Sequence, residues 1–152
     1  MNQDYRLMMD EGMDPLAEYE HLFQTIFERT DEGVIVAEPS VEGRIIEANP
    51  AAAEMHGYAL REFVKLRTTD LHKARSLEDA QAGIERMLNG QWIQVEGEHI
   101  RRNGDKFPVR FRAGATQYLG RKVLICFIRD LTPQKELEDA LRQCEREISS
   151  RI

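Results

Sequence analysis

The side chains of this chain best suited to ligate a metal or act as base or nucleophile are four histidines, His21, His56, His72 and His99, and two cysteines, Cys126 and Cys144. Their spacing argues against most of that chemistry. No two histidines stand four apart around a glutamate, the arrangement a helical zinc-hydrolase site needs. Two isolated thiols supply neither the four close ligands of a structural zinc site nor a disulfide framework, and the Cys-x-x-Cys-His of covalently attached haem is missing. There is no glycine-rich phosphate loop of the P-loop or dinucleotide type, and no Gly-x-Ser-x-Gly elbow to present a serine. The chain therefore reads as a binding module and not as an enzyme. His72, within Asp70-Leu-His-Lys-Ala-Arg75, is the best placed of the four for axial ligation of a noncovalent haem, but its charged neighbours suit a solvated or capping histidine equally well. His56 reads as a cap of a helix beginning near Pro50, His21 as a polar-face residue of an entry helix, and His99 as alternating with apolar neighbours on a strand. Cys126 lies in an apolar run and reads as a buried, inert thiol.

The elements that would position these groups follow from periodicity. Tyr19, Leu22, Phe23, Ile26 and Phe27 recur at helical spacing and predict a short amphipathic helix, with residues 1–18 before it a disordered segment or linker. Asp31-Glu32-Gly33 breaks that period, and Val34-Ile-Val36 with Arg44-Ile-Ile-Glu-Ala48 predicts two strands joined as a hairpin across Pro39 to Gly43. Asn49-Pro50 starts a helix, Asn as N-cap and Pro where no donor is needed. Gly57 ends it ahead of a short turn at Tyr58 to Phe63. The run from Ser76 to Asn89 gives the longest internal helix. Then the period falls to two: Trp92 to Arg101 forms a strand, Asn103-Gly104 a turn, and Phe107, Val109, Phe111 and Ala113 the buried face of a second strand. Arg110 and Arg112 accordingly point to solvent, and Pro108 predicts an edge or a bulge nearby. Lys122 to Arg129, apolar through its centre, predicts a central strand.

Asp130-Leu-Thr-Pro133 carries that strand into a final helix, where Thr132 reads as the N-cap before Pro133. Leu137, Leu141, Cys144 and Ile148 are spaced by four, three and four, a coiled-coil seam flanked by charge. A helix with such a stripe needs it covered, by its own domain or by a second copy of the chain, and a parallel homodimer is the preferred expectation. A net charge of -6 leaves no basic stripe for nucleic acid. No apolar run approaches the ~20 residues of a membrane span, and the start has no signal-peptide pattern, so a cytoplasmic location without membrane contact is expected.

Taken in order, Gly33-Val-Ile-Val36, Arg44-Ile-Ile-Glu-Ala-Asn-Pro-Ala-Ala52, Gly57-Tyr58 through Glu62-Phe63, Arg102-Asn-Gly-Asp105 and Arg129-Asp-Leu-Thr-Pro-Gln-Lys135 resemble the PAS family of sensory modules. The resemblance implies an α+β fold: a five-stranded antiparallel sheet, short helices over one face, and flanking N- and C-terminal helices. It divides the chain into a PAS domain over 19–132 and a signalling helix over 133–152. It implies sensing of a small ligand or cofactor, relayed through Asp130 and Thr132 to an output domain elsewhere, a histidine kinase first and a diguanylate cyclase second. The chain would then be part of a longer bacterial signalling protein. The Gly-x-Asn-Cys-Arg-Phe segment of the family's flavin photoreceptors is absent, which leaves a noncovalent ligand or haem as the cofactor possibilities and the ligand itself unnamed. Residues expected to line a cavity are Val34, Val36, Met55, Tyr58, Ile84, Met87, Trp92, Phe111, Ile125 and Phe127, which ordinary core packing would equally explain. The rival reading is a ligand-free PAS dimerisation module.

Overall fold

A computed structural model of the chain describes residues 3, 12, 14–74 and 76–151. It divides into two units, Met1–Thr30 and Asp31–Ile152. The first contains helix α1 (Pro15–Arg29), which starts four residues ahead of Tyr19 because Asp14 caps it, accepting from the Leu16 amide at 3.1 Å. Leu16, Leu22, Phe23 and Ile26 are exposed along it. Most of the linker expected over 1–18 lies outside the described residues.

The second unit is built on β1 (Gly33–Ala37), β2 (Ile45–Ala48), α2 (Pro50–His56), α3 (Leu60–Phe63), a single 3₁₀ turn (Thr68–Asp70), α4 (Leu77–Leu88), β3 (Ile93–Ile100), β4 (Lys106–Tyr118), β5 (Arg121–Asp130) and α5 (Thr132–Ser150). The five strands form one antiparallel sheet in the order β2-β1-β5-β4-β3. The apolar strand β5 is at its centre, as its composition requires. Pro108 introduces neither an edge nor a bulge. It sits one residue before the β4–β5 ladder begins at Val109↔Asp130, where its missing donor costs no ladder bond, and its carbonyl accepts from Leu131.

Alternation along the strands separates two faces. Ile35, Ala37, Phe107, Val109 and Ile128 pack under Ala52 and Ala53 of α2, Phe63 of α3 and Leu71. Ala113 and Leu124 pack under Met87 of α4. Small residues let α2 approach β1 closely: a Cβ on Gly33 would come within 3.1 Å of the Ala52 backbone. On the opposite face a Cβ on Gly114 would stand 2.6 Å from the Trp92 ring, so this glycine is what lets the indole lie flat on the sheet.

Asn49 does more than cap α2. Fully buried, it accepts at Oδ1 from the amides of Ala52 (3.0 Å) and Val34 (2.8 Å) and donates from Nδ2 to the Glu32 carbonyl (2.9 Å). One side chain thereby ties the helix start to the first strand. Gly57, at φ +80°, closes α2 in the left-handed conformation. Replacing Asn49 with Ala removes all three bonds inside the core and is expected to destabilise the fold by about 2–4 kcal/mol. Urea denaturation followed by circular dichroism measures this, with an unchanged slope if only the native state is affected.

Candidate functional site

The strand β5 and the exit helix α5 meet at one guanidinium. Arg101, at the end of β3, donates from Nη2 to Asp130 Oδ2 (3.1 Å) and to Thr132 Oγ1 (3.3 Å), and from Nη1 to the Met55 carbonyl at the end of α2. Its plane lies over the Phe107 ring, 3.9 Å from the centroid. The other oxygen of Asp130 accepts from the Thr132 amide at 2.8 Å. This corrects the expectation for Thr132, which is the first residue of α5 and not its N-cap. Leu131 holds the cap position without a side-chain bond, and Asp130 satisfies the open amide from one residue earlier. Burial alone would push the Asp130 carboxyl up, but the bonds from Thr132 and Arg101 and the charge of Arg101 outweigh it and hold the group below its usual range. Both side chains of the pair are about three-quarters buried, with relative exposures of 26% and 22%. The pair is therefore less screened than a surface ion pair.

Next to this junction lies a cluster of imidazoles. His56, at the last turn of α2, is fully buried, and His99, on the helix-covered face of β3, is 4% exposed. His56 does not cap the start of its helix. Its Nδ1 contacts the Ala52 carbonyl one turn back at 2.7 Å, and its Nε2 contacts His99 Nδ1 at 2.9 Å. His72 is half-buried, not solvated, and stacks on His99 with centroids 5.3 Å apart. Phe63, Phe107 and Phe111 complete the ring packing around the three histidines. The hydrogen bonds dictate the protons. A carbonyl only accepts, so His56 carries its proton on Nδ1 and accepts on Nε2, and His99 must donate from Nδ1. That leaves His99 Nε2 as a bare acceptor, buried and with no hydrogen-bond partner among the described residues. Such a group costs about 1–3 kcal/mol.

Burial keeps the cluster neutral. His99 is pushed down to about 3 by burial and by the neighbouring His56 and His72. His72 is lowered by burial. His56 is lowered by burial first, with Arg101 and His72 adding to the effect and the Ala52 bond and Asp130 opposing it. Burial likewise pushes the Cys126 thiol up to about 12, leaving it no thiolate at neutral pH.

The ten residues expected to line one cavity divide between the two faces of the sheet. Met55, Tyr58, Ile84, Met87 and Phe111 are on the helix-covered side. Val34, Val36, Ile125, Phe127 and Trp92 are on the other. Val34 pairs with Phe127 and Val36 with Ile125, one residue out of step with the inward Ile35 and Cys126, while Trp92 stacks on Phe127 with centroids 6.2 Å apart. A one-residue phase error along β1 and β5 accounts for the misplacement. Both strands are apolar on both faces, so periodicity gave no phase. Arg112 is exposed, as expected, while Arg110 is half-buried and pairs with Glu96 across the strands. A shallow surface concavity of about 380 Å³ is bounded by Gly57, Arg101, Arg102 and Asn103. Leu137, Leu141, Cys144 and Ile148 are exposed along α5, so the stripe is not covered by the sheet of its own chain. Arg101 and the His56–His99 pair went unrecognised in the sequence. The period-two pattern of β3 does place His99 on the same face as Ile93, and that was the available signal.

The PAS domain family model matches residues 31–133, and the chain belongs to that family: it is a PAS sensory domain. Over 109 residues, 71% of the chain, it is 27% identical to diguanylate cyclase DgcM of Escherichia coli K12, spanning 26% of that protein. It is 23% identical over 132 residues, 83% of the chain, to sensor histidine kinase TmoS of Ectopseudomonas mendocina, spanning 13% of it. The chain thus covers about a quarter or less of these relatives. Among solved structures it resembles a domain of a sensory box sensor histidine kinase/response regulator from Geobacter sulfurreducens, with TM-score 0.62 and 27% identity, covering 78% of this chain and all of that one. No described helix is long and apolar enough to cross a membrane.

The lowered histidines make stability depend on pH with a definite sign. Each takes up its proton below about 6.5 in the unfolded chain but only at lower pH in the folded one, so the unfolded state binds more protons and acid favours it. Their contribution is complete above about pH 6.5 and declines as the pH falls below that value. Urea unfolding at a series of pH values from 7.5 to 5 should show stability falling as the pH drops, by about 1.4 kcal/mol per pH unit from His99 in the lower part of that range, with His56 and His72 adding to the fall. A flat profile would show that these groups titrate normally in the fold.

Proposed function

We propose that this PAS domain senses a small molecule held under its helices and relays the state of that site through α5 to an output domain of a longer protein, a histidine kinase first and a diguanylate cyclase second. The observation that carries this reading is the Arg101 junction. One side chain bonds the end of α2, which roofs the core, the last residue of the central strand and the first residue of the exit helix. A displacement of α2 by a bound molecule changes what Arg101 can reach, and with it the anchoring of Thr132. A ligand moves such an equilibrium only by its differential affinity for the two arrangements. Asp130 and Thr132 are the coupling residues in this proposal, and Met55, Tyr58, Ile84, Met87 and Phe111 the core lining. DgcM and TmoS, a cyclase and a kinase by name, support the choice of outputs.

The seam of α5 supports a parallel homodimer. With Leu137 and Cys144 at d and Leu141 and Ile148 at a, the flanking e positions are Glu138 and Glu145 and the g positions Ala140 and Glu147. In a parallel pair each g faces the partner's next e, so Ala140 meets Glu145 and no like charges oppose. An antiparallel pair sets e against e and brings Glu138 towards Glu145, a repulsive contact. The second reading, a ligand-free module that only holds output domains in register, draws on the same seam and on a helix-covered face filled by Phe63, Leu71 and Phe107.

Native mass spectrometry of the freshly purified chain beside its denatured mass separates these readings. A mass lost on denaturation supports the sensor, and a dimer with no added mass supports the spacer. Parallel pairing also places Cys144 opposite its own copy, so oxidised glutathione, taking up the two thiol hydrogens, is expected to yield a disulfide-linked dimer on non-reducing gels and to leave Cys144→Ser at monomer mass. Replacing Arg101 with Met is expected to speed hydrogen exchange at the first turn of α5 by about tenfold, the equivalent of roughly 1.4 kcal/mol, while the amides of β5 stay protected. Unchanged exchange at that turn would remove Arg101 from the relay.

A further inference from the structure

The buried imidazole cluster is not used by the junction, and one of its atoms is unmatched. His99 Nε2 has no hydrogen-bond partner among the described residues and is enclosed by the protein. The chain of bonds from the Ala52 carbonyl through His56 to His99 Nδ1 leaves that nitrogen as a lone-pair acceptor and not a donor. We infer that His99 Nε2 is the polar anchor of the core ligand, which is a neutral molecule with an aromatic body and an O–H or N–H donor. The inference rests on the sensing reading above and narrows it to one atom and one class of ligand.

Three features set the class. The donor follows from the lone pair, because an acceptor on the ligand would be repelled by it. Neutrality follows from the surroundings. The Arg101 charge felt by His56 is already matched by Asp130, and the other titratable groups against His99 are His56 and His72, which burial disposes to the neutral form. An ion of either sign would be buried without a partner. An aromatic body follows from the walls, since His99 is bordered by the rings of His72, Phe107 and Phe111, with His72 and Phe111 within 10° of parallel. His72 is the half-buried member and is followed by the exposed Lys73 and Ala74, so the approach from solvent runs past it. No group of three His, Cys, Asp or Glu side chains among the described residues is arranged to hold a metal ion.

The test uses the full chain labelled with ¹⁵N-histidine, in which long-range proton–nitrogen correlation reads each ring nitrogen as protonated, bare or hydrogen-bonded. Phenol serves as the donor probe, and fluorobenzene as a probe of the same size without a donor. The expected result is His99 protonated at Nδ1 and bare at Nε2, with phenol moving Nε2 saturably towards the hydrogen-bonded position and fluorobenzene leaving it in place. Phenol should bind roughly tenfold more tightly than fluorobenzene, a preference lost in His99→Phe and kept in His99→Gln, which restores an acceptor. A proton on Nε2 in the free protein overturns the inference, as does an Nε2 already hydrogen-bonded and indifferent to phenol, or a haem absorption band in the purified protein. Equal binding of both probes to wild type and His99→Phe removes the anchor but keeps a core ligand site. No saturable shift from either probe, together with no mass lost on denaturation, removes the sensing reading as well. If His99→Phe does not fold, the nitrogen signals of the wild-type protein decide the matter on their own.

Discussion

A guanidinium has five donors in a rigid plane and no acceptor, so once partly buried it must be surrounded by oxygen. Arg101 meets that demand with groups from three elements: the Met55 carbonyl closing α2, the Asp130 carboxylate ending β5 and the Thr132 hydroxyl opening α5. Its flat face is spent on Phe107. The consequence is geometric. The exit helix leaves the sheet through Leu131, which has no capping side chain of its own, so its direction depends on Asp130 being held from both sides, by the Thr132 amide and by Arg101. The core helix and the exit helix are thus bonded to the same residue.

The imidazole pair applies a second constraint to the same end of α2. His56 is fixed through the Ala52 carbonyl, and its backbone carbonyl accepts from the Arg102 amide at 2.8 Å. The turn that carries Arg101 and Arg102 is thus bonded to α2 by backbone as well as side chain. Neutrality is essential to this arrangement. A protonated His56 would donate from both nitrogens and would force His99 to accept at Nδ1 and carry its own proton on Nε2, reversing the bond between them and removing the bare acceptor. Burial among the phenylalanine rings lowers the affinity of all three imidazoles for a proton and so favours this hydrogen-bonded arrangement.

The sheet separates two tasks. Its helix-covered face holds Ile35, Val109, Ile128 and the histidines, while the opposite face presents Val34, Val36, Ile125, Phe127 and a Trp92 that is 57% exposed. Gly114 makes that second face flat enough for the indole. Along α5, Leu137, Leu141 and Ile148 are each more than half exposed. The apolar stripe of this helix is left without cover by its own sheet.

Much of this architecture was legible in the residues because it rests on local physics. Asn49-Pro50 as a helix start, Gly57 as its end, Ser76 before α4, Asn103-Gly104 as a turn and the apolar run of β5 as the central strand each follow from a cap, a dihedral or a period that neighbouring residues settle among themselves. The apolar stripe of α5 follows likewise, whereas the α+β class came from the resemblance to the PAS family. Three things required the folded chain. The phase of β1 and β5, apolar on both faces, was decided by which side α2 could cover, and that sent Val34, Val36, Ile125 and Phe127 away from the helices. Thr132 is the first helical residue and not the N-cap, and its amide is satisfied by the Asp130 carboxylate, which Arg101, distant in sequence, also holds. The pairing of His56 with His99 joins residues 43 apart. A sequence states which groups can bond and how often they recur, but hydrogen bonds and burial act over a few ångströms, so which distant groups become partners is decided only when the sheet and its helices close.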